Sequence, residues 1–313
     1  MPTRQGSVRL FSYSGITVFL HWSWFLVAVY EINARRGGYS SVGWNVAEYL
    51  AIFLVVMLHE FGHALACRQV GGTANQIVLW PFGGVAYVNP PPRPGATLWS
   101  IAAGPLVNVA LLPVIFAIGM YGRSAGWAQT APDARAFVHA VWVINLILLT
   151  FNILPIYPLD GGQILRSVLW FIFGRARSLW VATILGFIGI PLFLLFAWLQ
   201  QSMWLGILAV FLLLNCWGGL QQARALSKIA KLPRREGYAC PQCKSAPPLG
   251  DYWKCARCGQ AFDTFATGAV CPNCRVRFNV TRCLDCGGER PIGEWAGSNL
   301  VSANSEAGFL TRS

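Results

Sequence analysis

Long apolar runs, separated by short polar or glycine- and proline-rich stretches, dominate the chain as far as about Leu232. Leu10–Tyr30, Pro94–Gly122 and Ala136–Leu159 contain no charged residue, and neither does the much longer Ser178–Ala223. A membrane-spanning helix needs roughly 20 mainly apolar residues, so the first three runs predict one span each and the last predicts two. Trp44–Val70 predicts another, apolar except for Glu48, Glu60 and Arg68, and it carries two histidines inside. The reading is an all-α membrane bundle of about six spans.

Between the second and third spans, β-branched and aromatic residues in Ile77–Val88 flank Gly83-Gly84, which predicts a short hairpin. It is too short to span, so it is expected to be embedded in the membrane with its backbone shielded by protein. Pro90–Pro94 then reads as a stiff spacer. From Tyr238 to Arg290 the apolar runs vanish and eight of the ten cysteines appear. The domains expected are therefore a membrane domain over 1–232, a small cysteine-rich domain over 238–290, and a disordered polar end over 291–313.

Composition supports this division. The chain is 55% hydrophobic and 12% charged, about half the charge of an ordinary globular protein, and its mean hydropathy is +0.48. The net charge of +12 does not require a nucleic-acid partner. With a cytoplasmic N-terminus, Arg4, Arg9, Arg68, Arg93, Arg166, Arg175, Arg177 and the basic cluster Arg224–Arg235 all fall inside. Only Arg35, Arg36, Arg123 and Arg135 fall outside, which is the positive-inside bias of a multi-pass membrane protein. Both termini are then cytoplasmic, and the first span is retained because no convincing small-residue cleavage site follows it.

The chemistry concentrates at His59-Glu60-Phe61-Gly62-His63. Residues four apart share a helix face, so both imidazoles can reach one zinc ion, with Glu60 beside them to take a proton from zinc-activated water. Two histidines and a glutamate inside an apolar helix are costly unless they have a function, since a charge at the bilayer centre costs about 2.5–3.5 kcal/mol. Catalytic zinc usually takes three protein ligands. Glu48 lies about 16 Å along the same helix and cannot join the pair. Glu31, at the end of the first span, together with His21 and His139, are alternatives. Asp160 is the strongest candidate, standing where Pro155 and Pro158 break a helix and Gly161-Gly162 let backbone approach. Asn145 reads as an interhelical hydrogen-bonding residue, while Asn108 is open to that role or another. Cys67 and Cys216 read as small packing residues.

The helical His-Glu-x-x-His, followed on a later span by Asn152-x-x-Pro155-x-x-Pro158-x-Asp160-Gly161, resembles the site-2 protease family of intramembrane metalloproteases (peptidase family M50). The likeness extends over about Ile16–Gly219 and includes Pro81-Phe82-Gly83-Gly84 and Gly104-Pro105-x-x-Asn108. It is nearest in outline to the small bacterial members without a PDZ domain. The resemblance implies zinc held by His59, His63 and Asp160, Glu60 as general base and acid, and peptide-bond hydrolysis in membrane-embedded or membrane-associated protein substrates. It also implies that Asn152 and the hairpin at Gly83 and Gly84 hold the substrate extended, with Asn108 a weaker substrate-side candidate. A prokaryotic plasma membrane is the location it suggests.

In the tail, Cys240, Cys243, Cys255, Cys258, Cys271, Cys274, Cys283 and Cys286 form four Cys-x-x-Cys pairs. Two pairs make one tetrahedral site, so two zinc ribbons holding two structural zinc ions are expected, the first four cysteines pairing and the last four pairing. Interleaved pairing is an alternative. Disulfides are disfavoured in a reducing cytoplasm. Tyr238–Arg290 carries seven basic and four acidic residues with no basic stripe. That argues against nucleic acid and towards docking a protein partner.

Overall fold

The computed structural model describes residues 6–34, 38–80 and 83–295. Pro81, Phe82, Arg4, Arg35, Arg36, the side chain of Glu31 and residues 296–313 of the expected disordered end lie outside the described residues. The chain divides into two compact units, the second beginning at Gln221.

The first unit opens with a departure from expectation. Leu10–Tyr30 is not one helix. It is the end of strand β1 (Ser7–Tyr13), then β2 (Ile16–His21) and the short helix α1 (Ser23–Ala34). Tyr13 pairs directly with Ile16, and the two residues between them, Ser14 and Gly15, have φ of 49° and 72°. Two successive positive φ values make the hairpin turn whose twist matches its strands. In β2, Ile16 and Val18 are fully buried while Thr17 between them is not, the alternation of a strand with one covered face.

Six strand residues and twelve helical ones still extend about 38 Å. At one end the Gly15 carbonyl accepts a hydrogen bond from Arg68 Nη2 (2.9 Å), near the C-terminus of helix α2 (Val42–Gln69). At the other, the Trp24 carbonyl accepts one from Tyr49, near the N-terminus of the same helix. Among the described residues five helices, where six spans were expected, are long and apolar enough to cross a membrane, and this strand with its short helix is not one of them.

Strands β3 (Thr73–Trp80) and β4 (Gly83–Asn89) complete a four-stranded sheet in the order β1-β2-β3-β4, with β2 and β3 parallel. The expected hairpin is thus half of a larger sheet. It folds back along α2, where Ile77 and Leu79 join Ala64, Val56 and Ile16 in one apolar core. Helix α3 (Pro94–Ser124) packs against α2 so closely that a Cβ on Gly62 would lie 2.7 Å from the Ala103 carbonyl oxygen. After the short α4 (Trp127–Thr130), α5 (Pro132–Ile153) leads to the loop 154–159. Helix α6 (Asp160–Leu199) follows, broken at Gly174, whose φ of 77° is left-handed. Helix α7 (Met203–Ala230) runs through the division between the units.

In the second unit, hairpins β5–β6 (Trp253–Lys254, Ala261–Phe262) and β7–β8 (Thr281–Arg282, Glu289–Arg290) are joined by Trp253 Nε1 donating to the Arg282 carbonyl. The fold continues past Arg290. Trp295 is 1% exposed, packs with Trp253, Phe262 and Phe265, and its carbonyl accepts from Ala239 N. Residues 291–295 of the expected disordered end are therefore structured, and the unit has an apolar centre as well as cysteines.

Within this unit, Arg234 ties the cysteine-bearing segment to the last turn of α7, which begins the unit. Its guanidinium holds both carboxylate oxygens of Asp285 (2.6 and 3.0 Å), the Ala246 carbonyl (2.8 Å) and the Ile229 carbonyl in the last turn of α7 (3.0 Å). A lysine cannot reproduce that fork. Arg234→Lys is expected to cost about 1.5–3 kcal/mol of local stability and to open residues 231–237 to trypsin, read by the rate of limited digestion.

Candidate metal centre

Helical spacing sets His59 and His63 on one face of α2, their Nε2 atoms 3.1 Å apart. Asp160 opens α6 and brings Oδ2 to 3.1 Å from the first Nε2 and 3.3 Å from the second. Zinc binds imidazole nitrogen at about 2.0–2.1 Å in a tetrahedron, whose corners are then roughly 3.3 Å apart. The three atoms occupy three such corners. His63 Nδ1 lies 2.9 Å from the Ser100 carbonyl oxygen, which can only accept. That nitrogen therefore carries the hydrogen, and Nε2 keeps its lone pair for a metal. His59 Nδ1 meets Asn108 Oδ1 at 2.5 Å.

Gly104 of α3 closes one side of this cradle. A Cβ there would lie 2.3 Å from His63 Nε2 and 2.8 Å from His59 Nε2, so any side chain would fill the space of the ion. Glu60 is 6% exposed. It offers a carboxylate oxygen within 4.8 Å of a ring nitrogen of each imidazole. Its Oε2 accepts from Ala86 N of β4 at 2.8 Å. A Cβ on Gly84 would lie 2.2 Å from Glu60 Cγ, so the sheet approaches Glu60 closely because that residue has no side chain.

Asp160 is held by the loop before it. Gln163 Nε2 donates to the Pro158 carbonyl. The Ile156 and Tyr157 side chains sit in notches where a Cβ would lie 2.6 Å from Ile156 Cγ1 at Gly189 and 2.5 Å from Tyr157 Cε1 at Gly219. Second-half α6 and α7 thus clamp the loop that presents the carboxylate.

Of the remaining candidates, His21 stacks on Trp80 (4.4 Å) and bonds Ser23. His139 is exposed on α5, and Glu48 takes a hydrogen bond from Tyr39. Asp160 is the residue brought to the histidine pair. Asn108, weighed as a substrate-side group, is instead fully buried behind His59. Asn145 bonds across to Asn108, the interhelical role expected of it. Asn152 is half-buried in the last turn of α5, and Gly83 and Gly84 begin β4. The sequence pointed to Gly104 only as part of the Gly104-Pro105-x-x-Asn108 motif, with no role of its own, and not to Ser100. Two glycines bracketing the histidines, Gly62 on α2 and Gly104 on α3, were the available sign of a close helix crossing.

The cysteines group in a nested order, which corrects the sequential pairing. Cys240, Cys243, Cys283 and Cys286 form one cluster and Cys255, Cys258, Cys271 and Cys274 the other. The outer cluster has Sγ–Sγ separations of 3.8 and 3.7 Å and the inner one 3.5 and 3.6 Å. A tetrahedral Zn–S bond of about 2.3 Å implies edges of roughly 3.8 Å. All eight are free thiols. Each pair is carried on the same backbone knuckle: the first cysteine N–H donates to the carbonyl five residues on, and its carbonyl accepts from the N–H four residues on. That fourth residue, Lys244, Gly259, Arg275 or Gly287, has φ between 57° and 78°. In the outer cluster, hydrogen bonds from the neighbouring thiols drive Cys243 well below the usual thiol range and Cys283 well above it. Sulfurs this close share protons unless a cation replaces them.

Gly104→Ala places a methyl group in the cradle without adding charge. It is expected to abolish zinc binding at the histidine pair while leaving metal in the cysteine clusters, measured as metal content per chain against the unsubstituted protein.

The profile of Peptidase family M50 matches residues 47–131 and 124–196. A zinc metalloprotease of Methanocaldococcus jannaschii is 29% identical over 222 residues, covering 70% of this chain and 61% of that protein. YwhC of Bacillus subtilis is 30% identical over 155 residues, covering 40% of this chain and 70% of YwhC. Among solved structures, the site-2 protease of M. jannaschii superposes with a TM-score of 0.51 at 27% identity, covering 68% of this chain and 95% of that one. The chain spans 44 to 61% of the length of the first curated relatives it matches. With two histidines and a distant aspartate converging in a bundle of this fold, the chain belongs to peptidase family M50, the site-2 proteases.

Proposed function

We propose that this protein is an intramembrane zinc metalloendopeptidase, hydrolysing peptide bonds of membrane-embedded or membrane-associated proteins. The observation that carries the reading is the convergence of His59 Nε2, His63 Nε2 and Asp160 Oδ2 on one tetrahedral vertex set, with the Glu60 carboxylate beside it. His59, His63 and Asp160 would hold the zinc. Bound there, zinc supplies a Lewis acid that lowers the pKa of water from about 15.7 towards 7.

Glu60 accepts the proton of the attacking water and delivers it to the leaving amine. Its Oε2 is anchored by Ala86 N, which leaves Oε1 for the transfer. The same hydrogen bond shows which way β4 faces. β4 pairs with β3 on one side and turns an N–H towards Glu60 on the other. A substrate strand laid along that outer edge would bring its peptide carbonyls to the centre in extended form. Helical substrate must unwind first, because its amides are already hydrogen-bonded. The Asn152 amide, at the end of α5, would donate to the developing oxyanion.

The bilayer solvates the five long helices and β2 with α1 makes a sixth crossing, which puts the His59-bearing half of α2 and both termini on the side of a prokaryotic cytoplasm. The two cysteine clusters would each hold a structural zinc, and their domain would dock a protein partner or regulate the protease.

Glu60→Gln keeps the shape and removes the base. It is expected to bind zinc normally and to lower cleavage of a single-span substrate in proteoliposomes by about 10²–10⁴-fold. Cleavage at the unsubstituted rate would exclude Glu60 from the reaction. Nested clusters also make a stoichiometric prediction. Cys240→Ser with Cys286→Ser removes one of the two tail zinc ions, whereas Cys240→Ser with Cys255→Ser removes both, read by elemental analysis.

A further inference from the structure

Behind the histidine pair lies a chain of amides that crosses three helices. Asn145 Nδ2 on α5 is 3.0 Å from the backbone carbonyl oxygen of Asn108 on α3. Asn145 Oδ1 is 2.7 Å from Asn108 Nδ2, and Asn108 Oδ1 is 2.5 Å from His59 Nδ1 on α2. Both asparagines are 0% exposed and His59 is 5% exposed, so no solvent competes for these groups.

The polarity of the chain follows from its far end. A backbone carbonyl can only accept, so the Asn145 atom facing it is the NH₂ group. The other atom of Asn145 is then the oxygen, which must receive a hydrogen from Asn108. Asn108 therefore turns its own oxygen towards α2, and His59 Nδ1 must carry the proton. That leaves the lone pair on Nε2, the atom that meets His63 and Asp160. Without Asn145, nothing in this chain would distinguish the two ends of the Asn108 amide. A flipped Asn108 would offer an N–H to Nδ1 and drive the ring to the tautomer protonated on Nε2, which cannot bind a metal.

We infer that Asn145 is a positioning residue of the metal centre: acting through Asn108, it fixes the tautomer of His59. The inference deepens the proposed function and rests on its reading of His59 as a ligand. The two histidines are thereby set by different means, His63 directly by the Ser100 carbonyl and His59 at one remove through side chains on α3 and α5.

The test measures zinc affinity by chelator competition on the full chain in detergent. The share of the centre is the difference between each protein and the same protein carrying His63→Ala. Asn145→Leu is expected to weaken zinc binding at the centre about 10–100-fold, the usual effect of losing a partner that orients a ligand. In an Asn108→Asp background either carboxylate oxygen accepts from His59 Nδ1, so adding Asn145→Leu should change affinity little. Asn145→Asp, of the same shape, still accepts from Asn108 Nδ2 and should restore most of the affinity lost with leucine. Should the leucine variant not fold, Asn145→Ser, whose hydroxyl is too short to hold Asn108, takes its place with the same expectation. Unchanged affinity in Asn145→Leu overturns the inference. An equal loss in both backgrounds also overturns it, because the residue then acts by packing alone. If the unsubstituted chain binds no more zinc than its His63→Ala form, the ligand reading itself fails, and this inference fails with it.

Discussion

A carboxylate facing two imidazoles inside an apolar bundle is the constraint that organises the membrane unit. A charge in hydrocarbon is tolerated only when its partners are held in place, and here Asp160 and the histidines come from segments 101 residues apart. Close helix crossing at Gly62 and Gly104 brings α2 and α3 together. The glycine notches at Gly189 and Gly219 seat the loop that offers the carboxylate. Backbone and amide partners turn both imidazoles the same way. Each device is ordinary by itself, and together they leave a space that one small cation fits.

Much of this was legible in the residues. The spacing of His59 and His63 on an apolar helix announced a metal site, and Asp160 was the best available third ligand because it follows Pro155 and Pro158 at the end of an apolar run and precedes two glycines. The opening hairpin and short helix were not legible as apolar content. Leu10–Tyr30 is hydrophobic enough to be a helix, and only the Ser14-Gly15 turn, with polar Ser12 and Thr17 on either side, marks it as a hairpin. Asn108 could not be placed from its type, since a buried asparagine serves equally to bind a substrate, join helices or orient a ligand. The pairing of cysteines is set by which knuckles the hairpins bring together, and that is a tertiary property with no trace in the spacing.

The second unit solves the problem of a small core differently from the first. Four copies of one backbone knuckle present the cysteines, with Trp253, Phe262, Phe265 and Trp295 filling the space between the clusters. Small domains below about 70 residues seldom stand on apolar burial alone, and metal sites commonly complete them. Because the clusters are nested, the first and last knuckles share one site, so the chain ends of the unit are tied together. Arg234 then fastens that same site to the last turn of α7 through Asp285 and Ile229.

The seat of Tyr157 against Gly219 bears on how the molecule comes into being. Ribosomes deliver the histidine helix first, the aspartate loop much later, and the helix that braces this loop last of all. A nascent chain therefore emerges with two histidines but no finished site. The loop that carries Asp160 gains its full seat only once α7, with Gly219, has been made.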